Sequence, residues 1–176
     1  MVENTDKKYF TIEEYKEKIK ANQTDKNDSL VALYTNHADA QYSYIAQAHD
    51  KGYDVLVMDS TIDNHYMQHL DYKGEKMVFK RVDADTMDKL IEKDTSSESV
   101  LNKEEEEQLK KYFQEVVTTP TATVELKALS PTDFPVLITK NEFMRRIQEM
   151  TRLSGGGNKM MDMDYFNLVV NTNHPL

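Results

Sequence analysis

Two histidines, His65 and His69, stand four residues apart in the stretch "STIDNHYMQHL". On a helix that spacing turns both imidazoles to one side, where they could share a zinc ion, and Asp63 and Asp71 are close enough in sequence to add a carboxylate. A catalytic zinc wants a third well-placed ligand and usually a general base, as in H-E-x-x-H. Here the residues between the histidines are Tyr66, Met67 and Gln68, so that glutamate is missing. The expectation is exposed histidines on a polar helix and no metal site.

Asp59 is the next candidate, because it ends an apolar run that reads as a parallel strand, where α/β sheets place ligands and phospho-acceptors. A phospho-acceptor of that kind also needs an acidic pair after the first strand to hold magnesium. The sequence there is "YTNHAD", with Asp39 alone available, so a helix-capping carboxylate is the plainer reading. The run "SGGGNKMM" fails the G-x-x-x-x-G-K-[ST] phosphate-loop pattern and follows a helix, not a strand. It reads as a helix stop and a flexible connection. Glu104 to Glu107 read as a solvated helix start. No Ser-His-Asp or Cys-His set can be assembled, so no catalytic residue is expected.

The balance of 22 basic against 31 acidic side chains, a net charge of -9 over 176 residues, argues against nucleic acid and acidic membranes as partners. The chain has no cysteine, which excludes disulfides and thiolate chemistry and suits a reducing cytoplasm. The longest apolar run, Val55 to Met58, is far too short to span a bilayer, and "MVENTDKKYF" lacks the apolar core of a signal peptide. A soluble cytoplasmic protein is expected.

The elements that must position these residues follow from periodicity. Thr11 with Glu14 forms a capping box, and Ile12, Tyr15 and Ile19 recur at helical spacing, predicting a helix over about 11–21. "LVALYT" (30–35) predicts a buried strand, and 38–52 a helix closed at Lys51-Gly52. "YDVLVMD" is a second strand, 60–70 a short helix opened by Ser60, "KMVFKRVD" a third strand and 84–93 a helix. Strands alternating with helices predict βαβ units and a parallel sheet. "DTSSES" (94–99) reads as a linker. Beyond it, Asn102 caps a helix whose buried stripe is Leu109, Tyr112, Phe113 and Val116. "TATVELKA" and "FPVLIT" alternate like antiparallel strands, a helix opens at Asn141, and "YFNLVV" is the last strand. The fold class is thus α/β: a small parallel-sheet αβα subdomain over 1–96, then an α+β domain over 97–176.

The helix opening at Asn141 carries the least ordinary side chains. Phe143, Ile147 and Met150 fall within about 60° of one another, with Met144 and Leu153 on the flanks and Arg145, Gln148, Glu149 and Arg152 opposite. By pattern alone such an amphipathic helix is docked in a core. Against that, methionine is flexible and over-used on surfaces that accept varied partners, and the glycine run leads into Met160, Met161 and Met163.

Several motifs, in this order and spacing, are jointly specific: "YTNHADAQYSYIAQAHDKGYDVLVMDSTIDNHYMQHL", "YKGEKMVFKRVD", "FPVLIT" with "MRRIQEM", and "NLVVNTNHPL". From about Tyr9 onward the chain resembles the heat-shock protein 90 family of chaperones, its bacterial branch in particular. The resemblance implies a homodimeric, ATP-driven chaperone that binds unfolded or partly folded client proteins. It places residues 1–96 at the end of the family's middle domain and 97–176 in a C-terminal domain that stops short of its dimerisation helices. The nucleotide site, with its ATP and magnesium, would lie outside this stretch, so the fragment itself needs no cofactor and is no enzyme. Client contact would fall to Phe143, Met144, Ile147, Met150 and Leu153, and to a second patch at Asn64, His65 and Gln68. Where many bacterial members carry a methionine one residue after Ile147, this chain has Gln148 and places its methionine at Met150. Where some carry Trp, it has His65, which removes a large apolar contact. Apart from the resemblance, a stand-alone α/β ligand-binding module using the strand ends near Asn36 and Asp59 is the reading of a different class.

Overall fold

A computed structural model describes residues 1–73, 76–93, 98–140 and 165–175. The chain divides into two compact units, Met1–Asp94 and Thr95–Leu176.

The first unit is built on three strands that read as buried from sequence: β3 (Leu30–Thr35), β4 (Val55–Val57) and β5 (Met77–Arg81). β3 lies between the other two and pairs in parallel with both, Leu33 opposite Val55 and Leu30 opposite Met77. Its residues Val31, Ala32, Leu33 and Tyr34 are all buried, as expected of a strand covered on both faces. Because successive side chains point to opposite faces, one cluster joins Val31, Leu33 and Val55 to Ile45 and Ala48 of α2 (Tyr42–Asp50) and to Met87 and Leu90 of α4 (Met87–Leu90). The other joins Ala32, Tyr34 and Leu56 to Ile12, Tyr15 and Ile19 of α1 (Ile12–Ile19) and to Met67 and Leu70 of α3 (Thr61–Tyr72).

The parallel-sheet expectation needs correction here. Two short strands, β1 (Val2–Asn4) and β2 (Tyr9–Phe10), extend the sheet to five in the order β2-β1-β4-β3-β5, and β1 runs antiparallel to both neighbours. They escape a periodicity reading because strands of three and two residues are too short to show a period. The backbone pairing of Glu3 with Val57 that defines β1 joins residues far apart in sequence. The helix expected over 84–93 shrinks to the single turn of α4.

Local signals at the helix ends are realised as hydrogen bonds. Thr11 Oγ1 accepts from the Glu14 N–H, and Glu14 Oε2 accepts from the Thr11 N–H at 2.8 Å, completing the capping box. Gly52 takes φ +75° just past α2, donating to the His49 carbonyl while Tyr53 donates to that of Ala48. This double closure needs a left-handed residue, which glycine adopts without strain.

The second unit holds α5 (Lys103–Val116) and a three-stranded sheet of β6 (Ala122–Lys127), β8 (Phe166–Asn171) and β7 (Val136–Thr139), with β8 central. β7 is antiparallel to β8, but β6 is parallel to it, Val124 opposite Leu168, contrary to the antiparallel reading of "TATVELKA". Alternation reports which face of a strand is covered and carries no information on direction. A further correction concerns α5. Its capping box is present, with Asn102 Oδ1 accepting from the Glu105 N–H at 3.0 Å, yet none of its residues is buried. Tyr112 is 63% and Val116 60% exposed, so the predicted stripe is amphipathic without being covered.

Asparagines at the exit of β8 tie this unit together. Asn171 Oδ1 accepts from the N–H groups of Leu129 and Asn173, and its Nδ2 donates to the Ser130 carbonyl. Asn173 Nδ2 donates to the carbonyls of Glu98 and Leu129, while its Oδ1 accepts from the Val100 N–H at 2.9 Å. The "NTN" of the closing motif is therefore a backbone clamp.

Candidate functional site

Of the residues singled out in sequence, Asn64, His65 and Gln68 fall on α3, whereas Phe143, Met144, Ile147, Met150 and Leu153 lie outside the described residues. α3 is the place where a site can be built from side chains upward. The Ser60 N–H donates to Asp63 Oδ2 at 2.9 Å at its start, fixing the first turn. Met67 and Leu70 anchor the helix in the core. With about 100° between successive residues, these two define the inward side, and His65, His69, Ile62, Tyr72 and Gln68 fall on the outward side.

That outward side is exposed and partly apolar. Ile62 is 69% and Tyr72 94% exposed, flanking exposed His65, His69 and Gln68, with Asn64 half-buried at the margin. Tyr66 sits at the other margin, beside α1. Partial burial and the charge of Glu13 raise its hydroxyl above the ordinary phenol range, keeping it neutral and able to donate. The surface therefore offers aliphatic and aromatic area interleaved with imidazole and amide hydrogen-bonding groups.

Ile62 and Tyr72 were not singled out from sequence. The signal that finds them is simple: each is large with apolar surface yet falls outside the arc between Met67 and Leu70 on the helical wheel.

The other proposed sites are less promising. At the end of β3, the Thr35 hydroxyl donates to Gln41 Oε1 at 2.6 Å and the Asn36 N–H to the same oxygen at 3.3 Å, so polar groups there are occupied internally. Asp59 is exposed. Among the described residues no group of three or more His, Cys, Asp or Glu converges to hold a metal ion, and no helix is long and apolar enough to cross a membrane.

Sequence comparison supplies what α3 alone does not. Residues 2–176 match the model of the Hsp90 protein family. The chain belongs to the Hsp90 family. The chaperone protein HtpG of Bacteroides fragilis (strain YCH46) is 41% identical over 177 residues, covering 98% of this chain and 26% of that protein. HtpG of Bacteroides thetaiotaomicron matches to the same extent, at 41% identity over 98% of the chain and 26% of its own length. HtpG of Porphyromonas gingivalis (strain W83) is 37% identical over 171 residues, or 95% of this chain and 25% of that protein. The chain thus spans about a quarter of the length of these Hsp90 relatives.

Proposed function

We propose that this chain is the client-contacting stretch of an Hsp90-type chaperone, spanning the end of the middle domain and part of the C-terminal domain. The observation that carries the reading is the outward face of α3, where Ile62 and Tyr72 stand in solvent around His65 and Gln68. An unfolded client that covers those two side chains gains roughly 1.5–3 kcal/mol for each, before ordering costs. Histidine and amide groups between them satisfy the client's backbone polar groups without demanding one sequence. The amphipathic stretch Phe143, Met144, Ile147, Met150 and Leu153 supplies the second contact, with methionines that repack around different partners. In the whole protein, ATP and magnesium act at a separate site, client contact is coupled to homodimerisation, and the setting is the bacterial cytoplasm.

The test is an NMR titration with a permanently unfolded model protein. Signals of residues 62–72 and 143–163 should shift, and Met144→Asp with Ile147→Asp should remove the shifts in the second segment. Shifts confined to residues 36–60 would favour a ligand-binding module at the strand ends instead. Calorimetric titration of the same chain with ATP should show no binding. A clear binding isotherm would overturn the assignment of the chain to a stretch without the nucleotide site.

A further inference from the structure

A hollow of about 360 Å³ opens in the first unit, where the end of α1 meets the starts of β3 and β5. Its lining is Lys16, Lys20, Thr24, Asp28, Leu30, Lys76 and Met77. Three ammonium groups against one carboxylate make this a positive concavity in a chain whose net charge is -9. Such local inversion of sign draws anions toward it against the field of the rest of the surface.

The geometry separates a charged rim from an apolar floor. Lys16 and Lys20 are one turn apart on the last stretch of α1, so both ammonium groups rise on the same side. Lys76 comes from the opposite rim, held there because its carbonyl accepts from the Leu30 N–H at 2.7 Å. Its ammonium has no ion-pair partner among the described residues. Lys20 is held only loosely, by Glu17 at 3.7 Å with both side chains exposed, a pairing that a closer anion would displace. Thr24 donates its hydroxyl to the Lys20 carbonyl at 2.6 Å, so anion recognition there falls to the lysines. Between the rims, Leu30 is half-buried and Met77 buried, forming the floor.

We propose that this hollow binds a small anion carried on an apolar body: a carboxylate or phosphate monoester bearing an alkyl or aryl group. The headgroup lies between Lys20 and Lys76, Lys16 adds to the field, and the apolar part rests on Leu30 and Met77. None of its lining residues lies on the outward face of α3.

The test compares hexanoate and hexyl phosphate with acetate and inorganic phosphate by NMR titration of the chain. Saturable shifts at the Met77 methyl are expected with the hexyl probes, at least about tenfold tighter than with the bare headgroups, since several methylenes leave water. Whether carboxylate or phosphate binds more tightly then identifies the headgroup, and either preference supports the site. Lys20→Glu with Lys76→Glu, both exposed positions, should weaken binding by more than about tenfold, whereas Lys110→Glu with Lys111→Glu on α5 should leave it unchanged. Three results would overturn the proposal: no saturable shift at Met77 up to about 20 mM probe, binding untouched by the Lys20 and Lys76 changes, or equal loss in the α5 variant.

Discussion

The two units spend their apolar residues differently. In the first, β3 is covered on both faces and every helix contributes to one of two clusters, so Ile12, Ile45, Met67 and Met87 are all buried. In the second, α5 runs from Lys103 to Val116 without a buried residue, and β7 leaves Val136 and Ile138 exposed while burying Leu137. Beside the buried Val124, Leu137 and Val169, polar clamps at Asn171 and Asn173 hold this unit's backbone. The same helical periodicity therefore signals core in α1 and uncovered surface in α5. What differs is burial: the α1 stripe lies in a core cluster, and the α5 stripe is half-buried to exposed. A unit with a closed core can afford an exposed apolar face on α3, because Met67 and Leu70 already hold that helix in place.

That contrast can be broken most sharply by truncation. Leu33→Ala should destabilise the first unit by about 2–5 kcal/mol, whereas Phe113→Ala, removing a half-buried ring stacked edge-on to Tyr112, should cost about 1 kcal/mol or less. Chemical denaturation followed by hydrogen exchange reads both, and equal costs would erase the distinction. Next, Asn173→Ala removes the bonds to the Val100 N–H and to the carbonyls of Glu98 and Leu129, two of them exposed and one part-buried. A loss of about 0.5–1.5 kcal/mol is expected, with faster exchange of the Val100 amide. If that amide stays protected, the polar-clamp account of the second unit fails.

At the α1 cap, Thr11→Ala should cost about 1 kcal/mol. It also carries a pH signature. The Thr11 N–H bond first, and its hydroxyl bond second, hold the Glu14 carboxyl below its ordinary value of 4.5. Folding thus favours the ionised form. The contribution is full above the ordinary glutamate value and fades as pH falls through the lowered folded value. Circular dichroism should show α1 fraying across that acidic window, and Glu14→Gln should remove the pH dependence. An unchanged acid profile in Glu14→Gln would place the titration elsewhere.

Much of the fold is legible in the sequence because its signals are local. Thr11 with Glu14, Asn102 with Glu105 and Lys51-Gly52 each complete their hydrogen bonds within a few residues. The long-range features are not legible in that way. β1 exists because Glu3 meets Val57, and β6 runs parallel because of where β8 lies, which alternation cannot report. The candidate surface divides along the same line. His65 and Gln68 come from family resemblance, whereas Ile62 and Tyr72 needed only the observation that a helix anchored by Met67 and Leu70 turns them outward.

The central claim is that the outward face of α3 touches unfolded clients. A photo-crosslinker installed in place of His65 tests it directly, with a second placed at Tyr9 on β2, an exposed aromatic position outside the proposed surface. Crosslinks to an unfolded model protein should form at position 65, compete with unlabelled client, and be absent with the same protein in its native state. Equal yields at both positions, or yields at 65 that ignore the client's folding state, would contradict the account.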